Sequence, residues 1–204
     1  PDGHATSRYG GYFEPLRCLV EAVFLWPKRL NRHLEEQVLA SLRPEPLTAS
    51  GQGRWLALGM DALTGHHYHF EHCTAEPANA LFCFTSEHRR LWDHFSRRGM
   101  VRHWLKQSVE DWQRKALPKG YKTVQDRQLD THGHTVCRIE AVRTHPVLPD
   151  LIFGRRQFTC ASWLCPRDGR LYHLSRQAPR EHRLWHRQRP PAALRCCSDV
   201  EVCL

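Results

Sequence analysis

Two runs of alternating character, Arg156 to Cys165 and Arg170 to Gln177, flank the turn-forming segment Pro166-Arg167-Asp168-Gly169. Asp and Gly accept the backbone dihedrals of a tight reversal, and a two-residue period on both sides is what a half-buried antiparallel pair requires. A chain with this hairpin builds at least part of its core from antiparallel sheet. Arg54 to Met60 and His66 to Cys73 read as strands around the turn Asp61 to Gly65. Asn79 to Thr85, with its apolar run Ala80-Leu81-Phe82-Cys83-Phe84, reads as another strand. After Pro118-Lys119-Gly120 come two more strand candidates, Tyr121 to Asp126 and Val136 to Val142.

Elsewhere the apolar spacing is helical. Phe13, Leu16, Leu19, Val20 and Val23 recur at that spacing until Pro27, and Leu30, Leu34, Val38 and Leu42 form a second stripe that Pro44-Glu45-Pro46 stops. From 87 to 116 a longer stripe runs through Leu91, Trp92, Phe95, Val101, Trp104, Leu105, Val109, Trp112 and Ala116, divided at Gly99. Helices grouped beside consecutive hairpins predict an α+β fold, an antiparallel β-sheet built from hairpins and packed on one face by helices. The expected organisation is a flexible N-terminal lead over 1–12, a single α+β domain over 13–178, and a basic, Cys-containing C-terminal extension over 179–204.

Composition excludes several classes. With 204 residues, 41% hydrophobic, seven Trp and eight Phe, the chain has enough apolar surface to offset the entropy of ordering, so it is not a disordered class. Its longest near-apolar stretch, Cys18 to Trp26, contains Glu21 and is far shorter than the roughly 20 residues of a bilayer-spanning helix. Pro1-Asp2-Gly3-His4 lacks the basic, apolar, small-residue order of a secretory signal. Nine cysteines, an odd and irregularly spaced set, fit reduced thiols and an intracellular location, cytoplasmic or nuclear, better than a disulfide framework. Were bridges to form, Cys196, Cys197 and Cys203 would be the first participants.

Strand alternation places His67, His69, Glu71 and Cys73 on one face. His67, His69 and Glu71 are all donors competent for zinc or iron, and would centre a metal-dependent enzyme if another element completed the site. His88, His94 and His103 lack the His-Glu-x-x-His spacing, and His69-Phe70-Glu71 has no Pro-Cys-x-x-Cys downstream. Cys160 and Cys165 read as small buried side chains on opposite strand faces. Phosphate-cradling glycine loops and a nucleophile elbow are absent from the sequence.

The 30 Lys+Arg outnumber 21 Asp+Glu, for a formal charge of +9, which favours anionic partners. Arg89, Arg90, Arg97, Arg98 and Arg102 lie on the expected helical region, and Arg180, Arg183, Trp185, Arg187 and Arg189 interleave cations with an aromatic surface in the tail. Arginine fits phosphate bidentately and indole stacks on an unpaired base. These residues predict a non-enzymatic binding module that engages nucleic acid or an acidic protein. The alternatives are the metal-dependent enzyme on the 66–73 strand and a scaffold subunit of a larger complex, with no membrane span in any of them.

Overall fold

The computed structural model describes residues 4–14, 18–42, 46–86, 91–143, 156–179, 191–197 and 200–204. The chain divides into two compact units, Pro1–Pro46 and Leu47–Leu204.

The first unit holds strands β1 (Ala5–Phe13) and β2 (Cys18–Trp26) and helix α1 (Arg32–Ser41). The strands pair antiparallel in unbroken register from Ala5 opposite Trp26 to Phe13 opposite Cys18. The helical spacing read over 13–23 therefore gives way to a strand, because Val, Phe and Trp pack equally well on a pleated surface. Residues 5–12 likewise belong to a strand instead of a flexible lead. Helix α1 forms where its Leu and Val stripe predicts, and the Asn31 side chain caps it by accepting from Leu34 N at 3.1 Å. Its buried residue is not part of that stripe. Leu34, Val38 and Leu42 stay exposed, while Glu35 is 1% exposed. The Glu35 carboxylate accepts from the Ser7 hydroxyl, from Tyr9 Oη at 2.7 Å and from Trp26 Nε1 at 2.6 Å. These donors, Ser7 foremost, hold its pKa below the ordinary carboxylate range against the opposing effect of desolvation.

The second unit contains β3 (Gln52–Ala57), β4 (Met60–Gly65), β5 (Tyr68–Glu76), β6 (Asn79–Ser86), β7 (Trp92–Arg98), α2 (Val101–Trp104), α3 (Val109–Lys115), β8 (Tyr121–Thr131), β9 (His134–Arg143), β10 (Arg156–Leu164), β11 (Leu171–Pro179), β12 (Ala193–Cys197) and β13 (Val200–Cys203). A seven-stranded sheet has the order β5-β6-β7-β11-β10-β9-β8, and a four-stranded sheet the order β13-β12-β4-β3. All the pairings are antiparallel. Apolar side chains of both sheets share one cluster, in which Phe84, Phe95, Trp163 and Leu174 from the larger sheet meet Ala62 and Leu194 from the smaller.

Strands make up 61% and helices 13% of the described residues, in three sheets. The expected α+β class is thus incorrect: the fold is mostly antiparallel β, and its few short helices do not form a layer over one sheet face. The largest departure is the long helix expected over 87–116. Its described part begins with β7, an interior strand of the larger sheet that buries Asp93 and Phe95 on one face and Ser96 on the other, so its alternation is not apolar against polar. Asp93, inside, accepts Arg176 Nε and Nη2 at 2.7 Å each and Thr64 Oγ1 at 3.3 Å. The turn placed at Asp61 to Gly65 is itself strand β4, and the chain reverses instead at Leu58-Gly59, whose φ values of 50° and 67° suit a two-residue hairpin. The hairpin around Pro166 to Gly169 forms as read, with Leu164 opposite Leu171.

The stretch from 179 was expected to be a surface extension, yet β12 and β13 carry core side chains: Leu194 is 0% and Val200 1% exposed. Strand β12 pairs with β4 from Ala193 opposite Leu63 to Arg195 opposite Asp61, and so completes the smaller sheet. Replacement Leu194→Ala is expected to lower unfolding stability by about 2–5 kcal/mol, the usual range for truncating a buried Leu. Chemical denaturation of the full chain measures it, and a loss below about 1 kcal/mol would place β12 outside the core.

Candidate metal centre

Strands β8 and β9 are joined by a two-residue turn in which Thr131 pairs with His134. Both turn residues have positive φ, His132 at 48° and Gly133 at 75°, the pattern of a type I′ reversal. The turn brings the His132 carbonyl to 3.2 Å from His134 Nδ1. A ring that donates from Nδ1 to this carbonyl keeps its Nε2 lone pair free, the way metal-binding imidazoles are commonly oriented. His134 is 3% exposed.

Cys165 follows β10 directly, at the neck of the next hairpin. Its N–H donates to Arg170 O and its carbonyl accepts from Gly169 N, both at 2.9 Å. Tyr172 Oη donates to Asp168 Oδ2 at 2.7 Å and pins the same turn. Cys196 and Cys197 come from the end of β12. Neighbouring residues on a regular strand point to opposite faces, but here the register slips. Arg195 faces Glu201 and Cys197 faces Val200, so Cys196 is an extra residue in a β-bulge. A bulge re-aims side chains, and both thiols turn toward the same site.

The four donors converge. His134 Nε2 and the Sγ atoms of Cys165, Cys196 and Cys197 all lie within 4.8 Å of one another. His134 Nε2 is 3.4 Å from Cys165 Sγ and 3.8 Å from Cys197 Sγ, and Cys196 Sγ is 3.7 Å from Cys197 Sγ. A tetrahedral zinc ion with ordinary bond lengths puts two sulfurs about 3.8 Å apart and a sulfur and a nitrogen about 3.5 Å apart. Three of the six donor separations thus lie at the edge lengths of a tetrahedral site, and all six fall within 4.8 Å. Without a metal, burial pushes the Cys196 thiol up to about 12, while the Trp163 indole beside it favours the thiolate. Trp163 is 0% exposed and its N–H has no hydrogen-bond acceptor among the described residues, so a thiolate at Cys196 would satisfy a buried donor. An open cleft of about 470 Å³ is lined by residues that include Arg54, Gly59, Asp61, Cys196 and Cys197.

Sequence reasoning missed this group. It placed Cys165 among inert buried thiols and Cys196 and Cys197 among disulfide candidates, whereas all three are free cysteines. The vicinal Cys pair and the His-Gly-His turn were the available signals, but the pleat argues against two neighbouring residues sharing a site. The donors named from sequence are arranged differently. His67 lies in the turn before β5, His69 on β5, and Glu71 at a register shift between Phe70 and His72. Among the described residues these three do not form a donor group of the kind found around His134.

Of the basic residues, Arg89, Arg90, Arg180, Arg183, Arg187 and Arg189, together with Trp185, lie outside the described residues. Arg97 and Arg98 are consecutive on β7 and go to opposite faces. Arg97 packs on Gly59, whose missing side chain leaves room for its guanidinium, whereas Arg98 stacks over the indoles of Trp104 and Trp112 at 6.0 and 5.3 Å. Arg102 is exposed on α2. The basic residues of 97–102 do not form the helical face expected of them, because a strand alternates where a helix would align them.

A Ser–His pair also lies in this unit. Ser162 Oγ is 2.7 Å from His173 Nδ1, across the β10–β11 register that sets Ser162 opposite His173. Ser162 is 0% exposed, which leaves no route for a substrate to its hydroxyl, so the pair orients the imidazole and does not create a nucleophile. His173 is half-buried. Desolvation, followed by Arg98 and His94, lowers its pKa to about 3.

No family model matches the chain, and no curated protein matches it in sequence.

A histidine whose folded pKa lies below its unfolded value contributes stability that is complete above the unfolded value, near 6.5, and is lost as pH falls toward the folded value. The melting temperature is therefore expected to fall between pH 7 and pH 4.5, and less steeply in His173→Gln. Parallel pH profiles for the two proteins would show that His173 does not carry the acid sensitivity.

Proposed function

We propose that this chain is a non-enzymatic binding module whose two facing sheets are locked together by one structural zinc ion held by His134, Cys165, Cys196 and Cys197. The observation that carries this reading is the convergence of one imidazole nitrogen and three thiol sulfurs within 4.8 Å, three of their separations lying at the edge lengths of a tetrahedral site. Three thiolates and an imidazole fill all four positions of zinc, leaving none for a substrate or an activated water, the mark of a structural site. Iron–sulfur clusters need cysteines spread around several atoms, and donors within 4.8 Å are too close to enclose one. The ligands come from the β8–β9 turn, the β10–β11 hairpin and the end of β12, so an ion there would tie the last strands of the smaller sheet to two hairpins of the larger.

Protein purified without chelator is expected to contain stoichiometric zinc by elemental analysis, and removing it is expected to lower the melting temperature. Because zinc in small domains contributes folding energy directly, the shift should reach about 10 °C or more. Cys196→Ser should lose the metal while Cys73→Ser, at an exposed position, keeps it. Metal-free protein of unchanged stability, or a disulfide among Cys165, Cys196 and Cys197 found by mass spectrometry, would overturn the reading.

The formal charge of +9 supports nucleic acid or an acidic protein as the partner of such a module, since a positive excess draws polyanions through long-range attraction. Binding to a single-stranded oligonucleotide, followed by fluorescence anisotropy, should weaken by at least about tenfold from 50 to 200 mM salt. Affinity indifferent to salt would remove electrostatics as its basis. Among the described residues no helix is long and apolar enough to cross a membrane.

A further inference from the structure

On the face of the larger sheet that α3 partly covers, a cleft of about 260 Å³ opens between β6, β7, β11 and the helix. Trp92 and Trp112 contribute aromatic walls, and the floor includes His94, His173 and Ser175. Among the described residues Arg98 is the cation of its lining, and none of them brings a carboxylate to it. The guanidinium is held over Trp112 at 5.3 Å and over Trp104 at 6.0 Å, but it makes no hydrogen bond or ion pair to any described residue. Its five N–H donors are thus positioned at the cleft without a protein acceptor among those residues. The two indoles keep the guanidinium close to the cleft, at cation–π distance from both rings.

The charge of the cleft defines what it would take. Desolvation lowers His94, and it holds His173 at about 3 with help from Arg98 and His94, so both imidazoles are neutral near pH 7. Among the described residues one positive charge then stands in a setting of indole, imidazole and hydroxyl groups, which matches a monoanion better than a phosphate dianion. The volume admits a ring or two and is below that of a drug-sized ligand.

We propose that this cleft binds a small aromatic or heteroaromatic monocarboxylate, with the carboxylate paired to Arg98 and the ring against Trp92 and Trp112. The site is separate from the four metal donors, and none of those residues lines it.

The test titrates the full chain, with its metal, against benzoate, its neutral isostere benzamide, and inorganic phosphate. Isothermal calorimetry gives the affinities, and the indole N–H signals of Trp92 and Trp112 locate the site. Benzoate is expected to saturate and to shift both signals, with benzamide and phosphate each weaker by at least about tenfold, because a carboxylate gains a bidentate charged pair that the amide lacks. Arg98→Gln should lose at least about tenfold in benzoate affinity while keeping the wild-type melting temperature. The benzoate to benzamide ratio in the unmodified protein tests the same point should that variant fail to fold. Equal binding of acid and amide, preference for phosphate, or the absence of saturable binding to benzoate would each overturn the proposal.

Discussion

The parallel stack of Trp163 on Tyr172, with centroids 5.7 Å apart and planes within 16°, is the contact on which the larger unit depends. Both rings are almost wholly buried, and each belongs to one arm of the β10–β11 hairpin. Burying two aromatic side chains of this size is worth several kcal/mol by area alone, more than any single polar contact nearby. The stack also determines where polar groups go. Two residues beyond Trp163 the chain turns at Cys165, and the Tyr172 hydroxyl holds that turn through Asp168. The hydrophobic contact thereby fixes the position of a metal donor.

Polar groups buried in the same unit are arranged by the need for partners. Asp93 has 0% exposure and would be costly in the interior if alone, but the bidentate contact with Arg176 and the Thr64 hydroxyl supply its hydrogen bonds. The Tyr68 ring lies 5.6 Å from the Arg176 guanidinium and covers its face. In the smaller unit Glu35 solves the same problem with hydroxyl and indole donors in place of a cation. Gln113 reaches Cys160 Sγ at 3.0 Å, giving that thiol a role in holding α3 against the sheet.

The sequence revealed the elements whose signals are local. The β10–β11 hairpin, β6 and α1 stand close to where turn residues and periodicity place them, since each needs only its own neighbours to be recognised. Strand β7 was hidden because its environment is set by distant partners: Asp93 is inside on account of Arg176, eighty-three positions away, and Arg98 is outside on account of α2 and α3. The run Cys18 to Trp26 carries Val, Phe and Leu in an order that suits either a helix or a strand, and only pairing with β1 decides between them. The donors of the candidate centre come from three separate places in the chain, so no fixed spacing announces them. His67, His69 and Glu71 are neighbours in sequence, and adjacency along the chain is a poorer guide to convergence than the meeting of turns.

The bulge at Cys196 makes the centre depend on chain length as well as on residue type. A change of length that removed the bulge would restore an unbroken pleat and swing one of the two thiols to the far side of the strand, even with every cysteine retained. Insertions and deletions in this short stretch would then be more damaging than many point changes in the core, and they would act by geometry alone.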